Sequence, residues 1–140
     1  MKIVLFACVH NAGRSQMAAA WFSQLADPQK ARALSAGTQP ASHVHPAVLA
    51  VMREVGIDLR SAKPRLLTPE LAKCATLLVT MGCGDECPYL PDLERADWPL
   101  TDPSGKPIEV VREIREEIRQ RVTALLNERG WLKPGAELGD

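Results

Sequence analysis

The feature that most constrains this chain is a junction near its start. The apolar run Lys2-Ile3-Val4-Leu5-Phe6-Ala7 passes through a short loop into a helix-patterned stretch opening at Arg14. Uninterrupted Ile, Val, Leu and Phe suit a strand buried on both faces. Met17, Trp21 and Leu25 then recur at helical spacing and place one apolar stripe on a helix expected over residues 14–26. A buried strand feeding a helix closes as a right-handed β-α-β unit, which commits the chain to a parallel sheet. The alternation continues. Strands are expected at 32–36, 75–81 and 97–100. Helices are expected from Pro46 to a stop at Gly56, from the cap-and-proline start Thr68-Pro69, and over 108–127, with residues 59–67 as loop. The expected fold is α/β, with helices on both faces of the sheet, in a single domain over residues 1–140. In such sheets ligands bind beyond the carboxyl ends of the strands, where Cys8, Cys83 and Asp102 are all expected.

Lysine plus arginine equal aspartate plus glutamate at 17 each. This balance removes the electrostatic case for nucleic acid or an anionic membrane as a partner, so any anion site must be local. The leading apolar run is too short for a signal peptide or a membrane span. A cytoplasmic monomer is expected. In a reducing compartment the four cysteines, Cys8, Cys74, Cys83 and Cys87, point to nucleophilic or redox chemistry rather than paired structural disulfides.

The junction loop is Cys8-Val9-His10-Asn11-Ala12-Gly13-Arg14-Ser15. Successive main-chain N–H groups in such a loop can turn inward around an anion, helped by the positive end of the following helix. Arg14 supplies a planar fork of donors matched to two oxyanion oxygens. Gly13 is expected to adopt backbone angles that other residues resist, and small Ala12 leaves the loop open. The same positive field stabilises a Cys8 thiolate. Ser15 can donate to the Cys8 sulfur, and Asn11 can brace the loop through its amide while adopting a left-handed conformation. His10 reads equally well as an exposed loop residue. The bland alternative, that Cys8 is a small core hydrophobe, fits a strand end but not this loop.

These residues resemble the low-molecular-weight protein tyrosine phosphatase superfamily, and the run from Cys8 to Met17 with Trp21 looks like its arsenate reductase branch. Leu34-Ser35-Ala36-Gly37-Thr38, Val55-Gly56-Ile57-Asp58, Val79-Thr80-Met81-Gly82-Cys83 and Asp102-Pro103 extend the likeness over nearly the whole chain. It implies four parallel strands and the reduction of arsenate to arsenite, with phosphate or sulfate as competing oxyanions. Cys8 would attack arsenic, Arg14 and the loop amides would hold the oxygens, and Asp102 would protonate the departing oxygen. Without the resemblance, Asp102-Pro103 reads as a surface turn initiator.

The resemblance also implies a thiol relay. Cys83 would attack Cys8, Cys87 would attack Cys83, and thioredoxin would reduce the resulting disulfide. Gly82 and Gly84 would give that loop freedom to move. The spacing of only Gly84, Asp85 and Glu86 between the two cysteines is shorter than in thioredoxin-coupled members. It looks similar to members that use mycothiol with a glutaredoxin-like redoxin, where Cys8 alone is indispensable. No bound cofactor and no metal are expected. Ala19 occupies the position where some members place an acidic potassium ligand, so Asn11, Ser35 and Asp58 are read as loop braces. His43 and His45 are read as exposed and Cys74 as structural.

Two alternatives remain. Cys8, Arg14 and Asp102 would equally serve a phosphatase, although Asp102-Pro103-Ser104-Gly105 lacks the aromatic residue that tyrosine phosphatases place after this Asp-Pro. An oxyanion-binding module without turnover would have no use for the nucleophile.

Overall fold

The computed structural model describes residues 1–82 and 93–134. The elements are β1 (Lys2–Cys8), α1 (Arg14–Leu25), β2 (Ala31–Gly37), α2 (Pro46–Glu54), α3 (Pro69–Lys73), β3 (Leu77–Thr80), β4 (Glu94–Asp97) and α4 (Ile108–Arg129). The four strands form one sheet in the order β2-β1-β3-β4, and every pairing is parallel. β1 runs down the centre, so its residues Val4 to Ala7 are fully buried, as its uninterrupted apolar run requires.

Alternate residues of the sheet face two apolar clusters. Val4, Phe6, Leu77 and Val79 pack with Met17, Trp21 and Phe22 of α1, Val48, Val51 and Met52 of α2, and Ile114, Ile118 and Val122 of α4. Leu5, Ala7, Ala36 and Leu78 pack on the other face with Leu67 and with Ala72 of α3. Helices therefore cover both faces. Thr68 caps α3, its hydroxyl accepting from the Leu71 N–H at 3.1 Å. Gly130, at φ 73°, closes α4 in the left-handed conformation that a glycine adopts without penalty.

The expected fourth strand, 97–100, lies too far along the chain. Pairing ends with Thr80 opposite Asp97, where the Thr80 hydroxyl donates to Asp97 Oδ1 at 2.8 Å, and Pro99 has no N–H with which to extend a ladder. The strand escaped sequence reading because it forms the sheet edge: Glu94, Arg95 and Asp97 are charged and largely exposed, the pattern that blunts an edge against further pairing.

α2 and α4 are clamped at one end by Glu54, which accepts from Arg112 and Arg115 at 2.7 and 2.8 Å. Hydrogen bonds from Arg112 and then Arg115 lower the Glu54 pKa from 4.5 to about 2. A depressed carboxyl pKa contributes stability that is complete above 4.5 and is lost as pH falls toward 2. Glu54→Gln should therefore lower the urea midpoint slightly at pH 6, because the pair is exposed. That difference from wild type should shrink as pH falls from 4.5 toward 2. No helix among the described residues is long and apolar enough to cross a membrane.

Candidate active site

From β1 the chain passes outward to β2 on one side and returns to β3 on the other, so the strand order reverses between β1 and β3. That switch point is where an open α/β sheet offers a crevice at its carboxyl edge. Cys8 stands there as the last residue of β1, and Met81 and Gly82 follow β3 beside it, the Met81 N–H donating to the Ala7 carbonyl at 2.8 Å.

Cys8 is buried, and its Sγ lies 2.9 Å from the Ser15 hydroxyl. The neighbours orient the groups around this contact. The Arg65 main-chain N–H can only donate, and it is directed at Asn11 Oδ1 at 3.0 Å. That fixes the Asn11 amide with Nδ2 toward Ser15 Oγ, 2.7 Å away. Ser15 thus accepts from Asn11, and it shares a second hydrogen bond with the Cys8 sulfur in which either atom can donate.

Six loop carbonyls are held on the far side of the chain. Those of Cys8, Val9, His10 and Ala12 accept from the N–H groups of Thr38, Gln39, Ala41 and His45 at 3.2, 2.8, 3.0 and 3.0 Å. The Asn11 carbonyl accepts from Gln16 Nε2 at 3.1 Å, and that of Gly13 from the Met17 N–H at 3.0 Å. In a planar trans peptide the N–H opposes the carbonyl. The amides of Val9, His10, Asn11, Ala12, Gly13 and Arg14 therefore face the inside of the turn. Asn11, with φ 50°, takes the left-handed conformation. Gly13, at φ −142° and ψ −91°, matches neither the α nor the β region, as expected of a glycine, and its bare α-carbon also makes a close contact with Pro103.

Arg14 is buried at the start of α1, with Nη1 donating to the Leu100 carbonyl at 3.3 Å and Nη2 lying 3.8 Å from Asp102 Oδ2. Asp102 is half-exposed, and its Oδ1 accepts from the Ser104 N–H at 3.0 Å. It is both a turn initiator and a carboxylate at the loop mouth. Gly82, at φ 92°, lies against the guanidinium: an ideal Cβ there would come within 2.5 Å of Arg14 Nη1. Gly82→Ala should dislodge Arg14 from Leu100 and weaken binding of inorganic phosphate on the order of tenfold, read by calorimetry.

Of the other residues singled out, His10 is exposed, with Nδ1 3.1 Å from the Gln39 carbonyl. His43 is exposed beside Ser42, but His45 is half-buried against the loop, its ring Cδ2 next to Gly13. The available signal was Pro46, which as the first residue of α2 makes His45 the residue preceding that helix. Cys74 is exposed where α3 ends, because β3 begins only at Leu77. Asp58 pairs with Arg60 at 2.9 Å rather than bracing the loop. Ser35 is tied in through its carbonyl, which accepts from Arg65 Nε at 3.1 Å. Among the described residues no three His, Cys, Asp or Glu side chains gather as a metal site. Cys83 and Cys87 lie outside the described residues.

The family description "low molecular weight phosphotyrosine protein phosphatase" matches residues 3–133. The chain belongs to this family. Within the low-molecular-weight phosphatase family, a Halobacterium salinarum relative is 42% identical over 128 residues, 88% of this chain and 89% of its own. The Staphylococcus aureus arsenate reductase is 37% identical, covering 84% of this chain and 91% of its own. The Synechocystis glutaredoxin arsenate reductase is 34% identical, covering 90% and 97%. The thioredoxin-dependent arsenate reductase Cg_ArsC1' of Corynebacterium glutamicum superposes with TM-score 0.80 at 41% identity, over 91% of this chain and 61% of that one. An arsenate reductase solved in its phosphate binding state superposes with TM-score 0.76 at 32% identity, over 91% and 98%.

Proposed function

We propose that this chain is a cytoplasmic, monomeric arsenate reductase, one domain over residues 1–140, that draws its electrons from an external thiol. The observation that carries the reading is the buried Cys8 sulfur, 2.9 Å from the Ser15 hydroxyl and beside a turn of inward-facing amides. That arrangement suits a thiolate attacking a tetrahedral oxyanion. The choice of arsenate draws on the relatives named as arsenate reductases and on Cys83 and Cys87, which a phosphatase does not need.

In the first step the amides of residues 9–14 and the Arg14 fork bind arsenate oxygens, and the Cys8 thiolate forms a bond to arsenic. One oxygen departs as water, taking its proton from the Asp102 carboxylic acid. The Cys83 thiolate then attacks Cys8 Sγ. The sulfur–arsenic bond breaks with its electron pair passing to arsenic, so arsenite leaves and a Cys8–Cys83 disulfide remains. Cys87 attacks Cys83 and frees Cys8, and the dithiol of thioredoxin reduces the Cys83–Cys87 disulfide. The position of Cys83 supports this order, since it follows Gly82, which lies against Arg14.

Single replacements of Cys83 and Cys87 by serine test the relay. With thioredoxin as sole reductant each should lose nearly all steady-state arsenite production while still consuming arsenate once. Full activity for both would defeat the relay. Activity restored by mycothiol and its redoxin, or by glutathione and glutaredoxin, would favour the mechanism that needs only Cys8. Hydrolysis of phosphotyrosine outpacing arsenite production would favour a phosphatase.

A further inference from the structure

Three segments meet at the α-carbon of Gly13. An ideal Cβ built there would lie 2.8 Å from Pro103 Cγ, and 3.5 Å from both Pro103 Cδ and His45 Cδ2. Carbon atoms in contact prefer about 3.5–4.0 Å, so the His45 approach is ordinary contact and the Pro103 approach leaves no room for a methyl group. The Pro103 ring is seated on bare backbone.

Pro103 has little freedom to give way. It is buried, and its ring fixes its own φ. Its carbonyl accepts from the Lys106 N–H at 3.1 Å, and the preceding Asp102 Oδ1 accepts from the Ser104 N–H at 3.0 Å. Ring and carboxylate therefore move together. The other carboxylate oxygen, Oδ2, is the one 3.8 Å from Arg14 Nη2. Where Pro103 rests on the loop thus sets how far Asp102 stands from an oxyanion held inside it.

The geometry points to Gly13 as a positioning residue for the acid: its missing side chain lets Pro103 dock, and the docking places Asp102. This rests on the acid role proposed above for Asp102. Alanine at position 13 keeps the N–H that faces the oxyanion, so capture survives. The new methyl lifts the Pro103 ring, and with it the carboxylate, by about 1 Å if the contact relaxes to ordinary separation. A misplacement of that size costs up to ~100-fold in rate.

A double-mutant cycle tests it, with Gly13→Ala, Pro103→Ala, both together, and Asp102→Asn measured alongside. The readouts are the single-turnover rate of arsenate consumption, its pH profile, and inhibition by inorganic phosphate. Gly13→Ala should slow turnover roughly 10- to 100-fold and flatten the limb of the pH profile that Asp102→Asn removes. Its phosphate inhibition constant should stay within about threefold. In the double mutant the clash is gone, so its rate should fall within about threefold of Pro103→Ala alone. A loss that persists in the double mutant, or phosphate binding weakened as much as turnover, would overturn the proposal. If Gly13→Ala does not fold, the double mutant must fold and match Pro103→Ala, and its failure would count equally against the idea. Asp102→Asn at the wild-type rate would remove the acid role and this inference with it. Impaired Asp102→Asn without coupling between positions 13 and 103 would remove this inference alone.

Discussion

Cys8→Ser is expected to reduce arsenite production on the order of 10⁴-fold or more, to the level of the reductant alone. Serine at this site has no accessible alkoxide at neutral pH. An oxygen–arsenic adduct would also give an incoming thiolate no sulfur to attack. The fold should survive. Cys8 is 2% exposed and the hydroxyl is nearly isosteric, with Ser15 still available as its partner, so the cost is about 1 kcal/mol. Removing the thiolate also removes a negative charge from beside the bound anion. Phosphate should therefore bind the variant at least as tightly as it binds the wild type, and calorimetry can measure this. Retention of more than a hundredth of the activity would show that another group is the nucleophile.

Arg14→Lys should cost roughly 10²- to 10³-fold in kcat/KM for arsenate, with phosphate inhibition weakened in parallel. The guanidinium spans two places at once: Nη1 donates to the Leu100 carbonyl, and Nη2 stands near Asp102. A lysine ammonium is a single point and cannot hold its anchor while presenting a planar fork to an oxyanion. Because Arg14 is 7% exposed, its replacement also leaves part of a buried, polar-lined space unfilled, so melting temperature should be measured beside kinetics. A variant with normal kcat/KM and lowered thermal stability would assign Arg14 a structural role only.

The parts of the fold legible in the sequence were those where burial forces a period. β1 and α1 meet within one short loop, and the pattern switches there from continuous apolar residues to a helical stripe. That junction placed Cys8 and Ser15 side by side, and the structure has them 2.9 Å apart. Asn11 was also legible, because its amide tolerates a left-handed backbone and offers both a donor and an acceptor. β4 was misplaced because an edge strand carries charges rather than an apolar run. A second reason for Gly13 was hidden for a different cause. Its contact is with Pro103, and a meeting of two loops leaves no periodic trace in either. His45 was misread on the same ground: its N–H binds the Ala12 carbonyl and its ring lies near Gly13, contacts between loops that leave no periodic trace.

That main-chain splint has a consequence for how the sequence can change. The loop carbonyls of Cys8, Val9, His10 and Ala12 are held by the N–H groups of residues 38, 39, 41 and 45. The two prolines of this stretch, Pro40 and Pro46, occupy positions from which no loop carbonyl draws a donor. The requirement written into residues 38–46 is thus a rhythm of where imino acids are permitted. Relatives could drift in side-chain identity there and keep the catalytic loop in shape, provided proline never moves onto a donor position.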